Sequence, residues 1–304
     1  MKLTAAKMLV HILLALAMIA AGASAQEEAP AGWKKSLTFD FTTTQTAYSD
    51  SWQGGEAGAV SWVTNLNGTA EKALSPKFNF KSNLRLSFGQ TLTQTITTDS
   101  TGTHKNWEKP KKSTDLIDWE NVGTFTLGKA VDPYIAFRLE SQFLDASNEA
   151  KKLYLNPLKL TESAGLAHKF YEKDKNFITS RFGVAVRQIF HKTADIDLTV
   201  FDTTVSDAGL ESVTDAEFHA NDKLSYISKL SLFMAFYNSE KDNLTGDAAD
   251  YWKAVDVNWE NSVNAFITKV VTVKLYTQLL YDKEVSLKGR FKETLGIGFI
   301  YQFI

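Results

Sequence analysis

No cysteine occurs in the 304 residues, which removes disulfides, thiol nucleophiles and thiolate metal sites together. Such a chain must be held by its own core or by a surrounding phase. Proline is scarce, with five residues, and no proline- or serine-rich stretch divides the chain, so one folded domain is expected. Basic charge is not in excess either: 33 Lys and Arg stand against 35 Asp and Glu. Without a concentrated basic surface the chain is not expected to bind nucleic acid. Long apolar runs are missing except at residues 8–21, which follow Lys2 and Lys7 and close on Ala23-Ser24-Ala25. That is the pattern of a cleaved secretory signal over residues 1–25, short of the ~20 residues of a membrane helix. Residues 26–32 then read as a short periplasmic leader, and residues 33–304 as the folded part.

What the chain does have is strict alternation. In residues 78–92, Phe78, Phe80, Leu84, Leu86, Phe88 and Leu92 alternate with Asn79, Lys81, Asn83, Arg85, Ser87 and Thr91. One face of such a strand lies in an apolar phase and the other is wet. The same period runs through residues 135–143, 255–267 and 269–282. These stretches span ten residues or more, whereas strands of soluble domains are usually about 5–6 long and a strand tilted across a bilayer needs about 9–11.

About twelve such segments can be drawn, at residues 36–43, 59–70, 78–92, 114–127, 134–143, 158–171, 177–190, 212–219, 224–237, 251–267, 269–282 and 291–304. The segments near Leu158 and Ser212 are weak, which leaves ten or fourteen open. Connections between segments alternate short and long, the long ones including residues 93–113, 144–157 and 191–211. The expected fold is an all-β, closed antiparallel transmembrane barrel, with short periplasmic turns, long extracellular loops and both termini periplasmic. Trp62, Trp119, Trp252, Trp259, Tyr281 and Tyr301 suit a membrane interface, where a ring is half buried and its polar atom stays wet. A short echo links Asp118-Trp-Glu-Asn with Asn258-Trp-Glu-Asn, too brief to be read as a duplication.

Catalytic and metal patterns are thin. Of the His residues at 11, 104, 168, 191 and 219, none forms a His-Glu-x-x-His or other ligand spacing, and no metal or cofactor is expected. Asp195, Asp197 and Asp202 suit a solvated loop better than a Ca²⁺ site. Barrel lipid hydrolases carry Ser two residues beyond His, but here those positions hold Asn106, Phe170, Thr193 and Asn221. For a barrel protease, His191 with Asp195 or Asp197 is the sole candidate cluster.

The inward parity carries most of the information. Lys81, Arg85, Asp118, Glu120, Arg138, Glu140, Arg187, Asp256, Glu260 and Lys274 would all face the lumen. Two readings stand: a salt-bridged interior that neutralises itself, or a narrow channel whose charges select solutes.

The turn containing Trp52, Gly54 and Gly55, followed by polar and aromatic β-segments and an aromatic-rich end, resembles a Bacteroidota family, the domain of unknown function numbered 3078. The resemblance implies an outer-membrane barrel without an established activity, so it supplies no catalytic residues. The partners it fits are outer-membrane lipid and lipopolysaccharide, with an envelope protein partner as a further reading. The last segment, with Phe299, Tyr301 and Phe303, resembles the C-terminal signal read by the barrel assembly machinery. It departs from that signal in carrying Ile304 after the aromatic. The functional expectation is a non-enzymatic barrel that passes a small or amphiphilic solute; the alternatives are an accessory subunit of an envelope complex and, less favoured, a hydrolase.

Overall fold

The computed structural model describes residues 32–49, 56–100, 102–128, 130–148 and 150–304. The signal, most of the leader, and Trp52, Gly54 and Gly55 lie outside the described residues.

Twelve long strands form the wall: β1 Lys34–Thr46, β2 Ala59–Ser75, β3 Phe78–Asp99, β5 Lys111–Phe125, β6 Asp132–Ser141, β9 Leu158–Lys173, β10 Asn176–Ala194, β11 Val200–Asn221, β12 Leu224–Asn238, β13 Val255–Phe266, β14 Val271–Tyr281 and β15 Arg290–Gln302. Three short strands lie in connections: β4 Gly102–Trp107, β7 Leu144–Asp145 and β8 Leu153–Tyr154. Every wall strand pairs antiparallel with its neighbours in sequence order, and β15 returns to β1 with Thr38 opposite Gln302 and Thr43 opposite Ile297. Closure leaves the wall without a free edge strand, the condition for placing β-structure in an apolar phase. The two chain ends reinforce it, because Phe303 N–H donates to Leu37 O at 2.8 Å and Leu37 N–H donates to Ile304 O at 3.2 Å. Ile304, the departure from the assembly-signal pattern, thus supplies one of the closing hydrogen bonds.

Alternation in sequence becomes inside and outside. On β15, Leu295, Ile297, Phe299 and Tyr301 are exposed on the outer surface, while Gly296 and Gly298 are buried against β1. On β10, Phe182, Val184 and Val186 face out between the inward Arg181, Gly183, Ala185 and Arg187. A continuous outer belt of large apolar side chains is what a strand facing lipid requires. No helix among the described residues is long and apolar enough to cross a membrane.

The expected segments correspond to the wall strands, but two of the long connections are corrected. In residues 93–113, read as a loop, β3 runs on to Asp99 and pairs with β4 from Gln94 opposite Trp107 to Asp99 opposite Gly102. Residues 191–211, read as a loop, are mostly strand: β10 and β11 pair from Phe177 opposite Glu217 to Ala194 opposite Val200, and a turn of residues 195–199 joins them. Polar residues such as His191, Lys192, Asp202 and Thr203 mask the period there, because this hairpin rises above the apolar belt and both its faces are wet. Trp252 is also not on a wall strand. It sits on η1, a 3-10 helix at Gly246–Lys253, and packs against Ala185, Phe233 and Ala235.

Candidate functional site

The interior is a web of ion pairs. Arg85 on β3 donates to Asp118 Oδ2 at 2.6 Å and to Glu260 Oε2 at 3.0 Å. Arg138 on β6 donates to Asp118 Oδ1 at 2.8 Å and lies 3.2 Å from Glu140, which in turn meets Lys159 at 2.9 Å. Glu120 is held by Arg181 at 2.5 Å and Lys229 at 2.8 Å, and Tyr276 OH donates to Glu260 at 3.0 Å. Lys229 also lies 3.7 Å from Asp215. Five cations, Arg85, Arg138, Lys159, Arg181 and Lys229, thus balance five carboxylates, Asp118, Glu120, Glu140, Asp215 and Glu260. Neutrality matters here, since a buried charge left alone would cost several kcal/mol.

Two of these contacts span the barrel. β3 and β13 are five steps apart around the wall one way and seven the other, and so are β5 and β12. Arg85 reaches Glu260 across the first of these gaps, and Lys229 reaches Glu120 across the second. The two glutamates belong to the echoed tetrapeptides, on diametrically opposed strands. The echo extends to the outer face, where Trp119 Nε1 donates to Ser82 Oγ at 3.0 Å and Trp259 Nε1 donates to Ser228 Oγ at 3.1 Å. Each tetrapeptide therefore anchors an exposed indole outside and a cross-lumen acid inside.

A second cluster lies towards the loop end. Arg187 donates to Asp207 at 2.6 Å and to Asp256 at 2.7 Å, with its guanidinium 3.6 Å over the Phe233 ring. Lys274 donates to Asp40 at 3.2 Å, and the Lys81 ammonium stands 5.9 Å from the Phe177 ring centre. Nine of the ten lumen candidates thus meet an opposite charge on another strand, and Lys81 meets a ring.

Sequence reading passed over several partners. Asp40, Lys159, Arg181, Asp215, Lys229 and Tyr276 lie at inward parity on drawn segments or just beside them, and a full parity count would have found most of them. Asp207 was hidden by the loop assignment of residues 191–211. Of the protease candidate, Asp195 accepts the Thr199 N–H within its own turn at 2.8 Å and His191 sits on β10 opposite Thr203; no hydrogen bond or ion pair joins His191 to Asp195 or Asp197 among the described residues. No cluster of three His, Asp or Glu residues able to hold a metal ion occurs among the described residues.

Residues 43–146 match the family of proteins of unknown function DUF3078. This agrees with the resemblance drawn from residues 52–55. The DUF3078 match runs from the end of β1 past β7 and includes Arg85, Asp118, Glu120, Arg138 and Glu140; their partners Lys159, Arg181, Lys229 and Glu260 lie beyond it. Among curated proteins nothing matches the chain. Among solved structures, an outer membrane channel from Pseudomonas putida F1 is similar at a TM-score of 0.40 and 14% identity, covering 93% of this chain and 97% of that one. The NanC porin is similar at 0.35 and 10%, covering 88% and 97%. The TodX monoaromatic hydrocarbon channel is similar at 0.33 and 9%, covering 90% of each.

Proposed function

We propose that this protein is a non-enzymatic outer-membrane barrel that passes a small or amphiphilic solute through a lumen held shut at mid-height by its ion-pair web. The observation that carries the reading is the Arg85–Glu260 bridge between nearly opposite walls. A lumen filled for stability alone is served by pairs between adjacent strands. Side chains that cross it make a removable barrier, because each charge has another partner: Arg85 retains Asp118 when Glu260 leaves, and Glu120 retains Arg181 when Lys229 leaves. Polar strand positions above and below offer hydrogen-bonding walls to a solute. On this reading the short turns and both termini are periplasmic, lipid and lipopolysaccharide surround the apolar belt, and the barrel assembly machinery reads Phe299, Tyr301 and Phe303.

Planar-bilayer recording tests it. The purified barrel is expected to conduct weakly, and Arg85→Ala combined with Lys229→Ala to conduct at a markedly higher level. Absence of conductance in both proteins, with no solute flux into vesicles, would remove the channel reading.

One observation favours a second reading, an accessory subunit of an envelope complex. The β10–β11 hairpin carries Ile196, Leu198, Val200 and Phe201 exposed at its tip, beyond the barrel wall. Apolar side chains gathered on a projecting tip suit a docking contact. Gentle detergent extraction that yields only free monomer counts against this alternative.

A further inference from the structure

Three neighbouring wall strands set one row of polar residues near the loop end of the lumen. Arg187 on β10 stands opposite Asp207 on β11, and Asp207 stands opposite Asn238 on β12. Asn238 reaches the lumen because the β11–β12 register shifts between Ala208 and Gly209, which skips Phe236 and turns the next residues over. All three are at most 8% exposed. Each keeps one polar atom without a hydrogen-bond partner among the described residues: Arg187 Nε, Asp207 Oδ1 and Asn238 Nδ2. Most buried polar atoms are paired, so three orphans in one row ask for an explanation.

Their chemistry narrows it. Two of the orphans are donors and one is an acceptor. Arg187 already faces two carboxylates, Asp207 and Asp256, so the row offers no net positive charge to an anion. Glu284, on the 282–289 connection, adds acid nearby: burial and the charges of Asp282, Asp207 and Asp256 push its carboxyl up. An ammonium would meet Asp207 but leave both donors unanswered. A hydroxyl donates and accepts at once, and several on one carbon frame would satisfy all three atoms. The adjoining surface is apolar and aromatic, with Phe233 under the guanidinium and Trp252 of η1 packed on Phe233, Ala185 and Ala235.

We propose that the Arg187–Asp207–Asn238 row is a binding site for an uncharged, hydroxyl-rich solute, a sugar or polyol. Binding there does not require the barrel to conduct; because the three atoms carry almost no exposed surface, a solute reaches them only as the surrounding side chains give way.

Calorimetric titration of the folded, detergent-solubilised full chain tests it, with glucose, sucrose, glycerol, inorganic phosphate and putrescine as probes. Saturable binding of at least one hydroxylated probe is expected, with phosphate and putrescine weaker. Asn238→Ala removes one donor and should weaken binding about tenfold, the equivalent of one hydrogen bond. Heat-modifiable gel migration reports whether that variant still folds, and the unaltered protein decides the matter if it does not. No saturable binding of glucose, sucrose or glycerol would overturn the proposal and leave the row to bridging water. Preferential binding of phosphate or putrescine would overturn it too.

Discussion

Arg85 and Glu260 lie on nearly opposite walls of a twelve-strand barrel, yet their side chains meet at 3.0 Å. The guanidinium holds two acids at once, Asp118 on the neighbouring strand and Glu260 across the lumen. One residue thus ties wall to wall. Glu260→Gln should cost about 1.5–3 kcal/mol of stability, the range for a hydrogen bond to a charged group. Glu260→Gln in an Arg85→Met background should cost much less, because the cation that pairs with Glu260 is already gone. Urea titration of the four proteins in detergent or lipid gives the coupling, and additive losses would show that the bridge carries no energy.

The outer belt predicts a depth-dependent penalty. Val184 is exposed on the outward face of β10, four residues before Gln188 on the same face. If that belt contacts lipid, Val184→Arg should destabilise the barrel by about 2–4 kcal/mol, and Gln188→Lys, nearer the loop end, by about 0–1 kcal/mol. Equal small effects in bilayers would contradict a lipid-facing surface.

Closure depends on small residues at the seam. A side-chain carbon on Gly296 would stand 2.6 Å from Thr42 Cγ2 and 3.0 Å from Thr43 O, so β1 would have to shift. Gly68, on β2, has only Leu37 Cδ1 at 3.6 Å, an ordinary contact. Gly296→Val is therefore expected to lower the yield of the compact, heat-modifiable form strongly, and Gly68→Ala to leave it unchanged. Compact barrel in full yield from Gly296→Val would refute this account of the seam.

The connection of residues 142–157 should open in acid. Asn156 grips β10 through Lys192, receiving its N–H at 2.7 Å and donating to its O at 2.9 Å, and also donates to Asp145 at 2.6 Å. Burial alone would raise the Asp145 carboxyl, but hydrogen bonds from Ser147 and Asn156, with Lys112 nearby, outweigh it and hold the carboxyl below its ordinary value. A depressed carboxylate stabilises the folded arrangement above its unfolded pKa, about 3.9, and that contribution is lost as pH falls through the lower folded value. Limited pepsin digestion should accordingly cut this connection faster below about pH 4. Asn156→Ala should show comparable cutting at higher pH with a tolerant protease, and an uncut variant would mean that the clamp does not hold the connection.

By itself, the sequence determined that this chain is a barrel. A period of two sustained over ten or more residues separates a wet face from an apolar one, and about a dozen segments of that length suit a wall crossing a bilayer better than the shorter strands of soluble sandwiches and propellers. The same parity pointed Arg85, Asp118, Glu120, Arg138, Glu140, Arg187, Asp256 and Glu260 inward, since inside and outside follow directly from alternation. Only the tertiary structure decided which charges meet. Arg85 and Glu260 are 175 positions apart in the chain, and their contact depends on how far each strand is staggered when the sheet closes. Alternation is blind to stagger, because sliding a strand by two residues preserves every inside and outside assignment. The same limit hid the Arg187–Asp207–Asn238 row. Asp207 lies on β11 between Ser206 and Ala208, where no large apolar side chain marks the outer face and the period fades, and Asn238 faces inward through a register shift that a regular period cannot contain.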